Sequence, residues 1–238
     1  MNIFQKFSRK LNENIKPKAF LLEQKYFHPR KSISTLVFIC QVPQIWISLE
    51  SVYQAAINNP SIKTYLIAMP DVKTDPNGSI LEVTDNGSYS FCEKITKEMI
   101  PAYDFSQKHW FDLKSLHPDY VFIQRPYDIY LPPAYRSSSI CRYSYVCYVP
   151  YGYLMEGGDV LDCSYHVNFF KYVSMIFAEN DVAKNHLKQC LRRSYKMNLH
   201  NIYTVGFPRF DLIHSYGNSE TSIWKSPRNC FRVIWTPR

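Results

Sequence analysis

Thr35-Leu36-Val37-Phe38-Ile39-Cys40 is a run of β-branched, aromatic and aliphatic residues with no polar residue alternating after Thr35. A half-buried strand alternates, so this run predicts a strand covered on both faces, the kind found in parallel sheets. Downstream, Trp46, Leu49, Val52, Tyr53 and Ala56 recur at helical steps as far as Asn59-Pro60. Tyr65-Leu66-Ile67-Ala68-Met69 then predicts a second strand, closed by Pro70. Strand, helix, strand without a tight hairpin turn between them is a parallel pairing. Asp71 to Gly87 contains Pro76-Asn77-Gly78 and Asp85-Asn86-Gly87, turn sequences that predict a surface loop or hairpin. Phe91 to Ile100 reads as a helix stopped by Pro101.

The second half repeats the alternation. Tyr120-Val121-Phe122-Ile123 is a strand introduced by His117-Pro118-Asp119, and Pro132 to Ile140 a short helix with proline in its first turn. Tyr143 to Val149, Ser174 to Phe177 and Asn201 to Val205 are further strands, with a helix from Asp181 to Arg193 between the last two. The expected fold class is α/β: a parallel sheet with helices on both faces. In such a sheet ligands bind beyond the carboxyl ends of the strands.

Charge is unevenly spread. Residues 1–31 carry Lys6, Arg9, Lys10, Lys16, Lys18, Lys25, Arg30 and Lys31 against Glu13 and Glu23, a net +6 of the chain's formal +8. A basic leader thus precedes a nearly neutral body, which is unlike a uniformly basic nucleic-acid-binding domain. Phe4, Phe7, Leu11 and Ile15 fall at helical spacing, with Pro17 expected to end that helix. A basic helix with an apolar stripe can lie on an anionic bilayer, and it can equally dock on the body. Seven scattered cysteines without a CxxC pair predict buried thiols in a reducing compartment, and no zinc spacing is present. No run approaches membrane-spanning length and no secretory h-region is present, so a cytoplasmic location is expected.

The strand-end loops carry the polar chemistry. After Ile123 come Arg125, Tyr127 and Asp128: a cation, a hydroxyl on a flat ring and a carboxylate that together can grip a phosphate and a polyol. After Val149 come Tyr151-Gly152 and then Glu156-Gly157-Gly158, a glycine-rich turn that matches no nucleotide fingerprint. Asn180 or Asp181 can cap a helix, leaving Glu179 at a strand end. After Val205, Arg209 can meet a phosphate and Asp211 can orient it. His166 lies nearest the glycine-rich turn, and no Ser-His-Asp elbow or HExxH is found.

Taken in order, the segments 117–122, 126–128, 149–152 (Val-Pro-Tyr-Gly), 177–180 (Phe-Ala-Glu-Asn), 206–211 (Gly-Phe-Pro-Arg-Phe-Asp) and 235–238 (Trp-Thr-Pro-Arg) resemble the CDP-glycerol glycerophosphotransferases of teichoic acid synthesis. The resemblance runs over roughly residues 35–238. It implies a Rossmann-like domain corresponding to the N-terminal, acceptor-side half of a GT-B fold. The implied organisation is a leader at 1–31, an acceptor-side domain at 32–230, and the opening strand of a donor-binding domain at 231–238. The implied reaction is attack by an acceptor hydroxyl on the β-phosphorus of CDP-glycerol, releasing CMP, without a cofactor. It takes place at the inner face of the cell membrane on a lipid-linked acceptor.

Such chemistry needs a base and cations. The implied roles are Asp128 or Glu156 as base, Arg125 and Arg209 as phosphate contacts with Tyr127 and Asp211 beside them, and Tyr151-Gly152 as backbone shaping. The sequence departs from the family twice. Tyr151 stands where a His-Gly pair supplies the presumed base. The chain also stops at the start of the donor domain, so it is expected to need a donor-domain partner and not to bind CDP-glycerol alone. With a tyrosine at that place, the rival expectation is a non-catalytic membrane-surface or scaffold protein of the same fold.

Overall fold

The computed structural model describes residue 8 and residues 14–27, 32–75, 78–152 and 168–210. Helix α1 (Lys16–Phe27) precedes strand β1 (Ser34–Cys40), and helix α2 (Ile47–Ile57) leads to β2 (Ile62–Ala68). A hairpin of β3 (Asp71–Thr74) and β4 (Ile80–Thr84) follows, then helix α3 (Ser88–Ile95) and the short strand β5 (Ile100–Pro101). A two-stranded ribbon, β6 (Tyr103–Asp104) and β7 (His109–Trp110), precedes β8 (Tyr120–Ile123), α4 (Ser137–Ile140) and β9 (Tyr145–Tyr148). The described chain closes with β10 (Met175–Ala178), α5 (Asp181–Cys190), α6 (Arg192–Lys196) and β11 (Asn201–Thr204).

Seven strands form one parallel sheet in the order β11-β10-β9-β8-β1-β2-β5. β1 lies inside it, with all seven residues in register with β2 and four with β8. Burial on both sides explains the unalternating sequence of β1: Leu36 through Cys40 are at most 1% exposed. On one face Val37, Ile39, Val121, Ile123, Val146 and Ile176 pack against Ile140 of α4 and Ala183 and Leu187 of α5. On the other, Leu36, Phe38 and Phe122 meet Leu49, Val52 and Ala56 of α2. The chain therefore winds outward from β1 in one direction, crosses back, and winds outward in the other. Right-handed crossovers then place the two sets of helices on opposite faces, as observed.

An aromatic ladder braces the second face. Phe38 and Phe122 stack at 4.6 Å, and Phe122 reaches Phe177 at 6.4 Å across β9. The residue of β9 paired with Phe122 is Cys147, small enough to let rings two strands apart approach. Cys40, Cys92, Cys141 and Cys147 are buried thiols.

Among the described residues the expected strands and the hairpin form as read, and four local expectations are corrected; the strand expected at 231–238 and most of the helix expected from Phe4 to Ile15 lie outside the described residues. Pro17 does not end a helix; it lies in the first turn of α1, where a missing N–H costs nothing. The helix expected to Ile100 stops at Ile95, and Ile100–Pro101 instead pairs with Ile67–Ala68 at the sheet edge, where proline is tolerated. The segment from Pro132 to Ile140 is a single turn at Pro133–Tyr135 followed by α4. The helix from Asp181 breaks at Leu191 into α5 and α6, with Asn180 as cap: its Oδ1 accepts from the Ala183 N–H at 2.8 Å.

Residues 16–27 dock on the body. Leu21 is buried, and Gln24 ties α1 to the amino ends of two strands. Its Nε2 donates to the carbonyls of Cys141 and Ser144, its Oε1 accepts from Ser174 Oγ at 2.9 Å, and its carbonyl accepts from the Tyr145 hydroxyl at 3.1 Å. Gln24→Ala strands these groups in a buried place. We expect it to lower the unfolding free energy by about 2–4 kcal/mol in urea denaturation, well beyond a surface substitution.

His200 is buried below the same edge, with Nδ1 donating to the Val173 carbonyl at 2.7 Å and Nε2 2.8 Å from Ser194 Oγ. Burial holds its pKa below the ordinary histidine value, so the folded protein keeps it neutral. The unfolded chain takes up a proton near pH 6.5. Stability from this group is therefore complete above that pH and lost as pH falls below it. Between neutral pH and mildly acidic pH the unfolding free energy should drop, and the slope should be shallower in His200→Gln.

Candidate functional site

β1 and β8 are neighbours, and the chain leaves them in opposite directions, so the crevice of the sheet lies beyond Cys40 and Ile123. Two glutamines fill it. Gln124 Oε1 accepts from the N–H groups of Gln41 and Val42 at 2.9 and 2.7 Å, and its Nε2 donates to the Val42 carbonyl at 3.0 Å. Gln41 Oε1 in turn accepts from the Arg125 N–H at 2.8 Å, and the Gln41 carbonyl accepts from Asn86 Nδ2 at 2.8 Å. The turn after β1 contains no glycine to let a pyrophosphate approach the backbone. The crevice is thus closed by side-chain amides, and the accessible polar groups lie toward β8 and β9.

There the loops after β8 and β9 bring together Arg125, Tyr127, Tyr130 and Tyr151. The Arg125 guanidinium carbon sits 4.7 Å from the Tyr130 ring centroid, a cation–π contact. Tyr127 and Tyr130 meet edge to face at 6.0 Å, and the Tyr127 and Tyr151 hydroxyls are 3.3 Å apart. Tyr127 and Tyr130 remain 36% and 45% exposed, so their rings border open surface. Two buried donors, Gln41 Nε2 and Arg125 Nε, make no hydrogen bond among the described residues. Leaving such a donor unmatched costs about 1–3 kcal/mol, which an oxygen-rich ligand would recover. Burial and the Tyr127 hydroxyl push the Tyr151 pKa up to about 12, against the pull of Arg125. At neutral pH Tyr151 is a hydroxyl donor and not a base.

Asp128 stands apart from this group. Its Oδ1 accepts from the Ser137 N–H at 2.7 Å and its Oδ2 from the Ser137 hydroxyl at 2.6 Å. Both oxygens hold the start of α4, and burial raises its pKa. Gly152 is exposed; an added Cβ would meet nothing within 4 Å, and its φ is not left-handed, so the backbone there does not require glycine. Arg209 is exposed beyond β11, which lies three strands from β8, roughly 14 Å at ordinary strand spacing. It shares the edge with Arg125 without joining the tyrosines. Glu179 is buried at the end of β10. Glu156, Asp211 and His166 lie outside the described residues.

The structure adds Gln41, Gln124 and Tyr130 to the residues singled out from the sequence. Each follows a buried strand within seven positions, and a glutamine directly after an apolar strand is the signal that could have marked the first two. Among the described residues, no cluster of three or more His, Cys, Asp or Glu is placed to hold a metal ion.

If Asp128 serves α4, Asp128→Ala should lower the unfolding free energy by about 1–3 kcal/mol, while Asp128→Asn, keeping one acceptor, costs less. Equal stability of all three proteins in urea would show that the carboxylate has no such task. No protein family model matches this chain, and no curated protein matches it.

Proposed function

We propose that this chain is the acceptor-side domain of a glycerophosphotransferase-like protein. In that reading glycerol phosphate, or a similar polyol phosphate, passes from a CDP-linked donor to a membrane-linked acceptor in cell-surface polymer synthesis. The observation that carries the reading is the meeting of Arg125 with the Tyr127–Tyr151 hydroxyl pair at the carboxyl ends of β8 and β9. A guanidinium supplies the charge for a phosphate, and phenolic hydroxyls on flat rings suit a polyol. The parallel sheet, with its polar loops gathered at one edge, is the scaffold such a domain needs.

Within this reading Arg125 binds the phosphate, and Gln41 Nε2 is a second donor beside it. Tyr127 and Tyr151 orient the polyol hydroxyls. Asp128 is committed to Ser137, so the base for the attacking hydroxyl is Glu156. Arg209 and Asp211 contact a more distant phosphate of the same polymer, and a donor-binding domain completes the cleft. A non-catalytic protein with the same binding edge is the second reading, favoured by Tyr151, whose raised pKa removes it as a base.

Calorimetry with short oligomers of poly(glycerol phosphate) tests the binding edge. The chain should bind them, and Arg125→Gln should weaken binding by at least about tenfold, the loss expected for one charge-assisted hydrogen bond. Tyr151→Phe should weaken it less. Absence of binding, or an Arg125→Gln protein that is folded and binds equally well, rejects the site. With the donor domain and CDP-glycerol supplied, release of CMP separates the catalytic from the non-catalytic reading.

A further inference from the structure

The loops that lead into the strands differ in charge from those that leave them. At the leaving edge Asp71, Glu82 and Asp85 in the hairpin region and Asp181 at the start of α5 are exposed and Asp75 is half-buried, with Lys73 and Arg209 the exposed cations beside them. The entering edge is the reverse. Lys25 of α1, Lys63 at the start of β2, Lys114 before β8, Arg142 before β9, Lys171 before β10 and Lys196 before β11 all lie there. Five of them are exposed and Lys171 is half-buried. Glu23, Asp112 and Glu98, which stands beside the exposed Lys97 in the segment leading into β5, are exposed acids of that edge, while Asp119 is buried and accepts from the Thr35 N–H at 2.7 Å.

Apolar side chains stand among these cations. Tyr26 is 69% exposed, Ile33 53%, Ile57 46% and Met197 44%. Ile33 precedes β1, Ile57 ends the helix that returns to this edge, and Met197 follows α6, so they are distributed along the whole row of entering loops. Three of the cations ride on rings: Lys25 over Tyr26 at 5.6 Å, Lys63 over Tyr65 at 5.0 Å and Arg142 over Phe20 at 5.7 Å. Cations resting on aromatic rings beside exposed apolar side chains suit the boundary between headgroups and acyl chains.

We propose that the amino edge of the sheet is a docking face for an anionic phospholipid surface. Lys63, Lys114, Arg142, Lys171 and Lys196 belong to the body, which therefore carries a membrane contact of its own beyond that of Lys25, Tyr26 and the rest of residues 1–31. Charge alone would also fit a polynucleotide. Exposed isoleucines and a methionine decide for lipid, because they gain by entering the acyl boundary, whereas single-stranded nucleic acid is held by basic grooves lined with stacking rings. The orientation has a geometric consequence. β1 spans seven residues, roughly 23 Å. A protein seated on its amino edge holds the Arg125–Tyr151 loops on the side away from the lipid, and a lipid-linked acceptor reaches them only as an extended chain.

Flotation of the full chain with vesicles of phosphatidylcholine alone, and of phosphatidylcholine with phosphatidylglycerol, tests the face. Binding is expected only to the second. Lys63→Glu, Lys114→Glu and Lys196→Glu combined should cut the affinity by at least about 100-fold, each basic charge near such a surface contributing about fivefold. Lys73→Glu, on the opposite edge, should leave it unchanged. Ile33→Ser with Met197→Ser should remove the part of binding that survives high salt. Thermal melting checks the fold, and if the triple reversal melts early, the corresponding Gln substitutions are read by the same criterion. The proposal is overturned if the wild-type chain ignores anionic vesicles, or if the folded triple variant binds like the wild type, which would assign attachment to residues 1–31. Displacement of the vesicles by single-stranded RNA that itself binds through the three lysines would also overturn it, making the face a nucleic-acid surface.

Discussion

Where β1 and β8 part at their carboxyl ends, the backbone ladder that joins them runs out and two loops turn away from each other. The amide of Gln124 takes over, receiving two backbone N–H groups from Gln41 and Val42 and returning one donor to Val42. One side chain thereby continues the sheet's hydrogen bonding for one more step. The substitution is asymmetric in its consequences. Remove the amide, and two donors and a carbonyl at the centre of the sheet lose their partners together, each a loss of about 1–3 kcal/mol. Gln41, fixed by the same arrangement, supplies the acceptor that sets the Arg125 backbone. The position of the candidate site thus descends from a glutamine that belongs to the sheet.

Closing the crevice in this way also redirects its chemistry. Dinucleotide-binding sheets leave the first turn open and glycine-lined so that a pyrophosphate can approach the backbone. Here that place is occupied, and the nearest cation with aromatic company is one loop over. Arg125 lies against Tyr130 instead of pairing with a carboxylate, which leaves its charge uncompensated by a close acid among the described hydrogen bonds. Tyr151, held protonated by burial and by Tyr127, adds a hydroxyl and no charge. Within that edge, the two loops that carry Arg125, Tyr127 and Tyr151 form a local group of donors and neutral hydroxyls, which favours ligands that bring their own negative charge and many oxygens.

The sheet was legible in the sequence because burial on two faces removes alternation, and Leu36 to Cys40 or Tyr120 to Ile123 could hardly be read otherwise. What was not legible followed from proline and from distance. Pro17 and Pro101 each read as a stop in a local scan, and both are placed where the missing N–H is harmless: one in the first turn of a helix, one at a sheet edge. The roles of Asp128 and Gln124 depend on residues 9 and more than 80 positions away, Ser137 and Gln41. A carboxylate beside an arginine and a tyrosine in sequence looks like part of one site. Only the fold turns Asp128 inward to Ser137 while Arg125 and Tyr127 remain at the rim.

Along the chain, charge divides into a basic leader and a nearly neutral body, and the fold rearranges that division. A parallel sheet sorts its loops by direction, so residues far apart in sequence collect at one edge if they precede strands and at the other if they follow them. Lys114, Lys171 and Lys196 precede strands and Lys63 opens one, while Asp71, Asp85 and Asp181 follow them. A near-zero sum over the body therefore conceals two edges of opposite character. Opposed charges on the two edges do not cancel for a partner that touches only one of them, because screening at physiological salt confines each to about 8 Å. The leader enters the fold through α1, which Gln24 fixes to the amino ends of β9 and β10. Lys25 of α1 therefore adjoins the basic edge, and the loops that carry Arg125 and Tyr151 lie at the opposite end of the strands.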